Sequence, residues 1–205
     1  MDQCFSDEKN AVVRVETERL VLVPIGPQHA EDLYQLHRDP WVATWYAGAW
    51  TRGDAAAFAS SCARAWMSDG VSKWMAYERS SGDLVGRGGL SRLPVNVSST
   101  RQIDALLEDP RWRAARLEVG WAILSSFRGR GMATEVGKAA LSFAAGELAS
   151  SRVIAFTERH NLASRRVMEK LGLALAGEIR TRGLVEGHDE VQDDASFVVY
   201  ATQET

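Results

Sequence analysis

Arg128-Gly129-Arg130-Gly131-Met132-Ala133 lies between a strand-like run, Leu117-Glu118-Val119-Gly120-Trp121-Ala122-Ile123-Leu124, and a helix-like run from Met132 to about Leu148. A glycine-rich turn in that place leaves several backbone N–H groups without carbonyl partners and aims them one way. Together with the positive end of the helix dipole, such donors form a seat for phosphate oxygens. Arg128 and Arg130 add positive charge to the same turn. The stretch therefore predicts a phosphate-bearing ligand.

Working outward, Arg152 to Thr157 reads as a strand, and Asn161 caps a helix ending at Leu171, with Lys170 in its last turn and Gly172 just past it. Two strands, Leu173 to Thr181 and Ser196 to Ala201, follow. Upstream, Arg19 to Ile25 is a strand. Pro27 to His37 is a helix broken by Asp39-Pro40, and Arg52 to Met67 is a second helix. The latter carries Ala55, Phe58, Ala59, Cys62, Ala63 and Trp66 at three-and-four spacing. Trp74 to Glu78 and Asp83 to Leu90 pair as a hairpin. Arg92 to Arg113 reads as irregular and longer than an ordinary connection, with a short helix at Gln102 to Leu107. Hairpins imply antiparallel pairing, and the later strand–helix–strand unit implies a parallel pair. The class is α/β (α+β): a mixed, mostly antiparallel sheet of about seven strands flanked by helices. Residues 1–15 read as a tail and 16–203 as a single domain.

Bulk properties narrow the ligand. With 205 residues and 45% hydrophobic content the chain can bury a core. A net charge of −3 and a pI near 5.8 argue against a general nucleic-acid binder, while leaving room for local basic patches. No run of about 18 apolar residues predicts a membrane span. Cys4 and Cys62 cannot make a disulfide framework, and they read as reduced thiols of a cytoplasmic protein. Neither they nor the four histidines show metal-ligand spacing, so no metal is expected.

Three loop types carry phosphates this way. The nucleoside-triphosphate loop, Gly-x-x-x-x-Gly-Lys-Ser/Thr, is absent. The dinucleotide fingerprint fits Gly129 and Gly131 but meets Thr134 at its third glycine, and it usually follows a first strand. The pyrophosphate loop Gln/Arg-x-x-Gly-x-Gly/Ala fits Arg128, Gly131 and Ala133 at every fixed position. Four further stretches accompany it in order: Glu16-Thr17-Glu18-Arg19-Leu20, Glu118-Val119-Gly120-Trp121, Asn161-Leu162-Ala163-Ser164 and Glu169-Lys170-Leu171-Gly172. On these residues, from about Glu16 to Tyr200, the chain resembles the GNAT superfamily of N-acetyltransferases. The likeness is greatest to the Rim-type ribosomal-protein N-terminal acetyltransferases and their small-molecule relatives.

That resemblance implies a V-shaped splay between the fourth and fifth predicted strands, Leu117 to Leu124 and Arg152 to Thr157. It implies acetyl-CoA as cosubstrate. The pantetheine arm would lie along Trp121, Ala122, Ile123 and Leu124. The pyrophosphate would rest on the turn, with Arg128, Gly129, Arg130, Gly131, Met132, Ala133 and Thr134 as its binding residues, and Asn161 and Ser164 would also touch the cofactor. An amine attacking a thioester must lose a proton and the thiolate must be accommodated. Glu118, a carboxylate interrupting an apolar strand, is the leading base, working through water. An alternative for Glu118 is an ion pair with Arg92, Arg113 or Arg116. Ser164 is the proton donor that the resemblance leaves, because Met168 stands where many members carry a tyrosine and methionine donates no proton. His188 beside Asp189 is a second candidate base, although that acidic turn also fits a solvated surface.

On the acceptor side, Trp41, Trp45, Tyr46 and Trp50 read either as packing or as an aromatic wall, with His188 near them in role. The 92–113 segment fits a lid, a dimer contact or a specificity loop, so a homodimer is left open. The expected activity is acetyl transfer to a primary amine, either a small molecule or a protein N-terminus, with no nucleic-acid or membrane partner. The competing expectation is an acyl-CoA-binding sensor or interaction module without turnover.

Overall fold

Clusters of buried apolar side chains organise the chain. In the computed structural model, which describes residues 14–188 and 190–203, they belong to two units. Of the described residues, one comprises those up to Gly89 together with Trp121–Ala139; the other comprises Leu90–Gly120 and those from Ala140.

The first unit contains β1 (Val15–Glu16), β2 (Leu20–Pro24), β3 (Lys73–Glu78) and most of β4 (Leu84–Arg92), each antiparallel to the next. The last residues of β5 (Leu117–Ile123) belong to it too, and the Leu124 N–H beyond them bonds Val85 O at 3.0 Å. Its helices are α1 (Ala30–Arg38), α2 (Pro40–Thr44) and α3 (Arg52–Asp69). Leu33 of α1 and Ala55, Ala59 and Cys62 of α3 pack with Ile25 and with Met75 of β3. The α3 boundaries follow from its ends. Thr51 and Asp54 form a reciprocal capping box, and Gly70 closes the helix at φ 65°.

The second unit contains the start of β5, then β6 (Val153–Glu158), β8 (Val191–Thr202) and β7 (Leu173–Leu184), in that spatial order. The β5–β6 pair is parallel, as a strand–helix–strand unit requires, and its ladder consists of two pairs, Leu117↔Val153 and Glu118↔Ile154. The other pairs are antiparallel. Here α4 (Ser98–Leu107) and α5 (Pro110–Ala115) supply Ile103 and Trp112, which are fully buried against Ile154, Ile179, Phe197 and Val199. The 92–113 stretch, expected to be irregular with one short helix, thus holds two helices that complete a core. Asp104 fixes them: Trp112 Nε1 donates to Oδ1 at 2.8 Å and Arg116 Nη2 meets Oδ2 at 2.9 Å.

Helix α6 (Met132–Gly146) follows the glycine turn, and α7 (Leu162–Lys170) follows Asn161. The described residues hold eight strands, one more than expected, because Val15–Glu16 pairs with Leu22 and Val21 where a tail was read. Residues 1–13 of that tail, with Cys4, lie outside the described residues. Among the described residues no helix is long and apolar enough to cross a membrane.

Close approach in β4 depends on glycine. A Cβ on Gly89, whose φ is 125°, would lie 2.6 Å from Cε3 of the fully buried Trp74. Gly89→Ala is expected to lower unfolding free energy by about 2–4 kcal/mol, through strain and overpacking together. Urea titration of the variant beside the native chain measures it.

Candidate active site

The turn that opens α6 is built as its sequence demands. Residues Ser125–Phe127 make one 3-10 turn, and Gly129 and Gly131 then adopt φ values of 72° and 82°. Side chains with a Cβ avoid this left-handed region. The first bond of the helix runs from Glu135 N–H to Gly131 O at 3.1 Å. The N–H groups of Met132, Ala133 and Thr134 precede any carbonyl their own helix can offer. Residues 128–131 are exposed, so a ligand can reach the turn.

A clamp holds this geometry. Glu135, in the first turn of α6, accepts from Thr17 Oγ1 at 2.5 Å, from the Arg19 N–H at 2.8 Å and from Arg19 Nε at 2.7 Å. Arg19 Nη1 continues to Arg130 O, on the turn itself, at 2.8 Å. Burial pushes the Glu135 carboxyl toward protonation, but these hydrogen bonds outweigh it and hold the group below the usual carboxylate range. The Thr17-Glu18-Arg19 stretch matters to the site because it forms this clamp.

The two turn arginines have partners already. Arg130 pairs with Glu78 at 3.0 Å and lies over the Phe127 ring. The Arg128 guanidinium sits 3.4 Å from the centre of the Trp41 ring. A further tie joins the same regions. Asp39 caps α2 by accepting from the N–H groups of Trp41 and Val42, and its other oxygen accepts from Ser125 N–H at 3.1 Å and Oγ at 2.6 Å. Burial would raise its pKa, yet the bonds from Ser125, Val42 and Trp41 keep it lowered.

Along β5, strand alternation separates the four backbone positions expected to meet the cofactor. Leu124 is engaged with Val85, so peptide groups of Trp121 and Ile123 face the other way. The β5–β6 ladder ends at Glu118.

The second unit carries the remaining expected residues. Glu118 is half-buried and accepts from Ser91 Oγ at 2.8 Å. Of the nearby arginines, Arg116 pairs with Asp104, Arg113 donates to Asp104 O and Arg92 donates to Ala115 O. Asn161 is 5% exposed and its Oδ1 accepts from Ser164 N–H at 3.1 Å, which is the expected cap. Ser164 is half-buried at the first turn of α7. Met168 is in the core at 2% exposure. His188 is exposed on the turn before β8, its backbone N–H on Val185 O. Its suggested partner Asp189 lies outside the described residues.

The aromatic residues of the 41–50 connection divide into two groups. Trp41, under Arg128, meets Trp45 edge to face at 5.8 Å. Tyr46 and Trp50 surround His37, whose ring lies flat on Trp50 at 3.4 Å and meets the edge of Tyr46 at 4.5 Å. His37 is fully buried, and its Nε2 accepts from Arg87 Nε at 3.0 Å. Burial, aided by the nearby Arg87 charge, lowers its pKa to about 2. Neither His37 nor Arg87 was expected at the site. The one signal in the sequence was an arginine set among glycines in a strand, Gly86-Arg87-Gly88-Gly89. Among the described residues no cluster of His, Cys, Asp and Glu is arranged to hold a metal ion.

Known proteins share this architecture. A family model described as the Acetyltransferase (GNAT) domain matches residues 19–174, and the chain belongs to that family. It is 30% identical over 165 residues to the FsC-acetyl coenzyme A-N(2)-transacetylase of Aspergillus fumigatus, across 78% of this chain and 64% of that one. The chain thus spans just under two thirds of that relative's length. A GnaT-family acetyltransferase of Bordetella pertussis superposes with a TM-score of 0.71 at 21% identity, covering 93% of this chain and 99% of that one. RimL, a ribosomal L7/L12 alpha-N-protein acetyltransferase solved with coenzyme A, superposes with a TM-score of 0.65 at 16% identity over 92% and 96% of the two chains. The two superpositions bear on the fold.

Because His37 resists protonation in the folded chain but not in the unfolded one, its contribution to stability is complete above pH 6.5 and is lost as pH falls below it. Between pH 7 and pH 5 the native chain should lose about 2 kcal/mol more stability than His37→Gln, at ~1.4 kcal/mol per pH unit. Urea midpoints of both proteins at the two pH values supply the comparison.

Proposed function

We propose that the chain uses acetyl-CoA as cosubstrate and transfers its acetyl group to a primary amine by direct attack within a ternary complex. The observation that carries this reading is the exposed turn with left-handed Gly129 and Gly131, clamped by Arg19 and Glu135 at the start of α6. Its N–H groups, with the helix dipole, suit the two phosphates of coenzyme A and require no metal. Membership of the acetyltransferase family supports the same cosubstrate. The peptide groups of Trp121 and Ile123 are oriented to receive the pantetheine amides as an added strand. Arg128 leaves or keeps its Trp41 platform according to the reach of the adenosine phosphates.

The chemistry then needs few groups. The neutral amine adds to the thioester carbonyl, and the C–S bond breaks as the amide forms. One proton leaves the amine nitrogen and one is returned to the coenzyme A sulfur. In this scheme Glu118 accepts the first through water and Ser164 or solvent supplies the second. The acceptor is a small amine or a protein N-terminus in the cytoplasm, residues 16–203 acting as one acetyltransferase domain.

Two measurements test this. Glu118→Gln should cut kcat for acetyl transfer by about 10²–10⁴-fold, the usual contribution of a general base, while calorimetric affinity for coenzyme A stays unchanged. Coenzyme A binding without thiol release toward any amine would replace the enzyme with a binding module. Gly131→Ala should weaken coenzyme A binding about 10-fold, equivalent to ~1.4 kcal/mol, because the turn must leave its left-handed conformation. Unaltered affinity would place the phosphates elsewhere.

A further inference from the structure

Arg87 lies in mid-β4 and is only 5% exposed. A guanidinium presents five N–H donors in a flat fork. One of them, on Nε, is taken by His37. The cation stands 4.7 Å from the ring centre of Phe58, 5.2 Å from Tyr46 and 5.8 Å from Trp50. Ring faces recover only part of the hydration a buried ion gives up. The contacts of this guanidinium among the described residues are to His37, Phe58, Tyr46 and Trp50, none of which carries a carboxylate. Its hydrogen-bond partner is a neutral imidazole, so the cluster of Arg87, His37, Tyr46, Trp50 and Phe58 carries a net positive charge with nothing of its own to balance it.

The construction is specific. His37 is held flat by Trp50 with its acceptor toward Arg87, and its Nδ1 is left buried with no hydrogen-bond partner. That arrangement fixes one edge of the fork and leaves the two Nη groups. Tyr46 and Trp50 are half-buried, and they bracket the exposed Ala47-Gly48-Ala49, in which Ala47 and Gly48 take φ values of 58° and 110°. These residues belong to the connection that lines the acceptor side in the proposed reaction.

We propose that Arg87 is the subsite for a carboxylate on the acetyl acceptor, so that the substrate is a small primary amine bearing a free carboxylate, of the amino-acid type. The inference rests on the acetyltransferase reading for the amine and on the Arg87 cluster for the carboxylate. Planar fork and planar carboxylate match in a two-point contact that an ammonium cannot make. The N-terminus of a protein offers no such group at its own α-carbon, because that carboxyl is consumed in a peptide bond. The cluster therefore selects the small-molecule acceptor over the protein one.

The test compares free amino acids with their carboxamides, each with acetyl-CoA. Thiol release is referred to the neutral amine, in the native chain, Arg87→Met and Arg87→Lys. The expected kcat/KM ratio of acid to amide is about 100-fold or more in the native chain, the scale of a charged two-point contact. It should collapse to within about threefold in Arg87→Met and recover only partly in Arg87→Lys. A native ratio near one, or a full preference retained by Arg87→Met, overturns the assignment. Should Arg87→Met fail to fold, tryptophan fluorescence of the native chain titrated with N-acetylglycine and N-acetylglycinamide decides. Saturable binding of the acid alone supports the subsite, and no saturable response to the acid overturns it. Acids and amides acetylated alike would leave the transferase standing without the subsite. Saturable N-acetylglycine binding without thiol release from any amine would leave the subsite standing without the transferase.

Discussion

One carboxylate, that of Glu135, decides whether the glycine turn has a shape. It gathers a hydroxyl, a backbone N–H and a guanidinium from the three residues that separate β1 from β2. The same guanidinium grips the turn at Arg130 O. Gly129 and Gly131 give the turn its freedom, and freedom by itself costs entropy on binding. The clamp removes that cost before any ligand arrives. An exposed ion pair would contribute little, but Glu135 is largely covered and its partners act together. Placed in the first turn of α6, its negative charge also opposes the helix dipole favourably.

Local signals made much of this legible in the sequence. The strand–glycine–helix succession, the Asn161 cap and the Gly172 stop each depend on neighbours within a few residues, and each appears where its residues dictate. The antiparallel hairpin and the parallel crossover followed from connection length. What stayed hidden depends on partners distant in sequence. Asp39-Pro40 reads as a helix break, and nothing near it announces that its carboxylate will also bind Ser125. The 92–113 segment looked irregular because Pro94, the Ser-Ser-Thr cluster and Asp109-Pro110 punctuate it. The burial of Ile103 and Trp112 on β6–β8–β7 overrides those signals. Arg116 caps the helix Pro110–Ala115 in a left-handed conformation and pairs with Asp104, twelve residues back, a partner that no local pattern announces.

The two ends of the proposed reaction illustrate two ways of receiving an anion. At the turn, neutral peptide groups do so, with no full charge buried and solvent close by. At Arg87 a whole cation is sealed among rings, and its companion histidine is neutral because burial leaves it no other state. The first arrangement tolerates an empty site easily. The second is electrostatically incomplete until an anion enters, which gives it selectivity in proportion to its discomfort.

Asp39 also constrains any attempt to give this scaffold a new acceptor. Its two oxygens serve different masters: one starts the helix that presents Trp41, the other fastens the 3-10 turn leading into the glycines. A transplanted 39–50 segment lacking that acid would leave Ser125 unanchored, and the turn proposed to seat the diphosphate would loosen with it. Redesign of the 39–50 connection is therefore coupled, through a single side chain, to the integrity of the glycine turn.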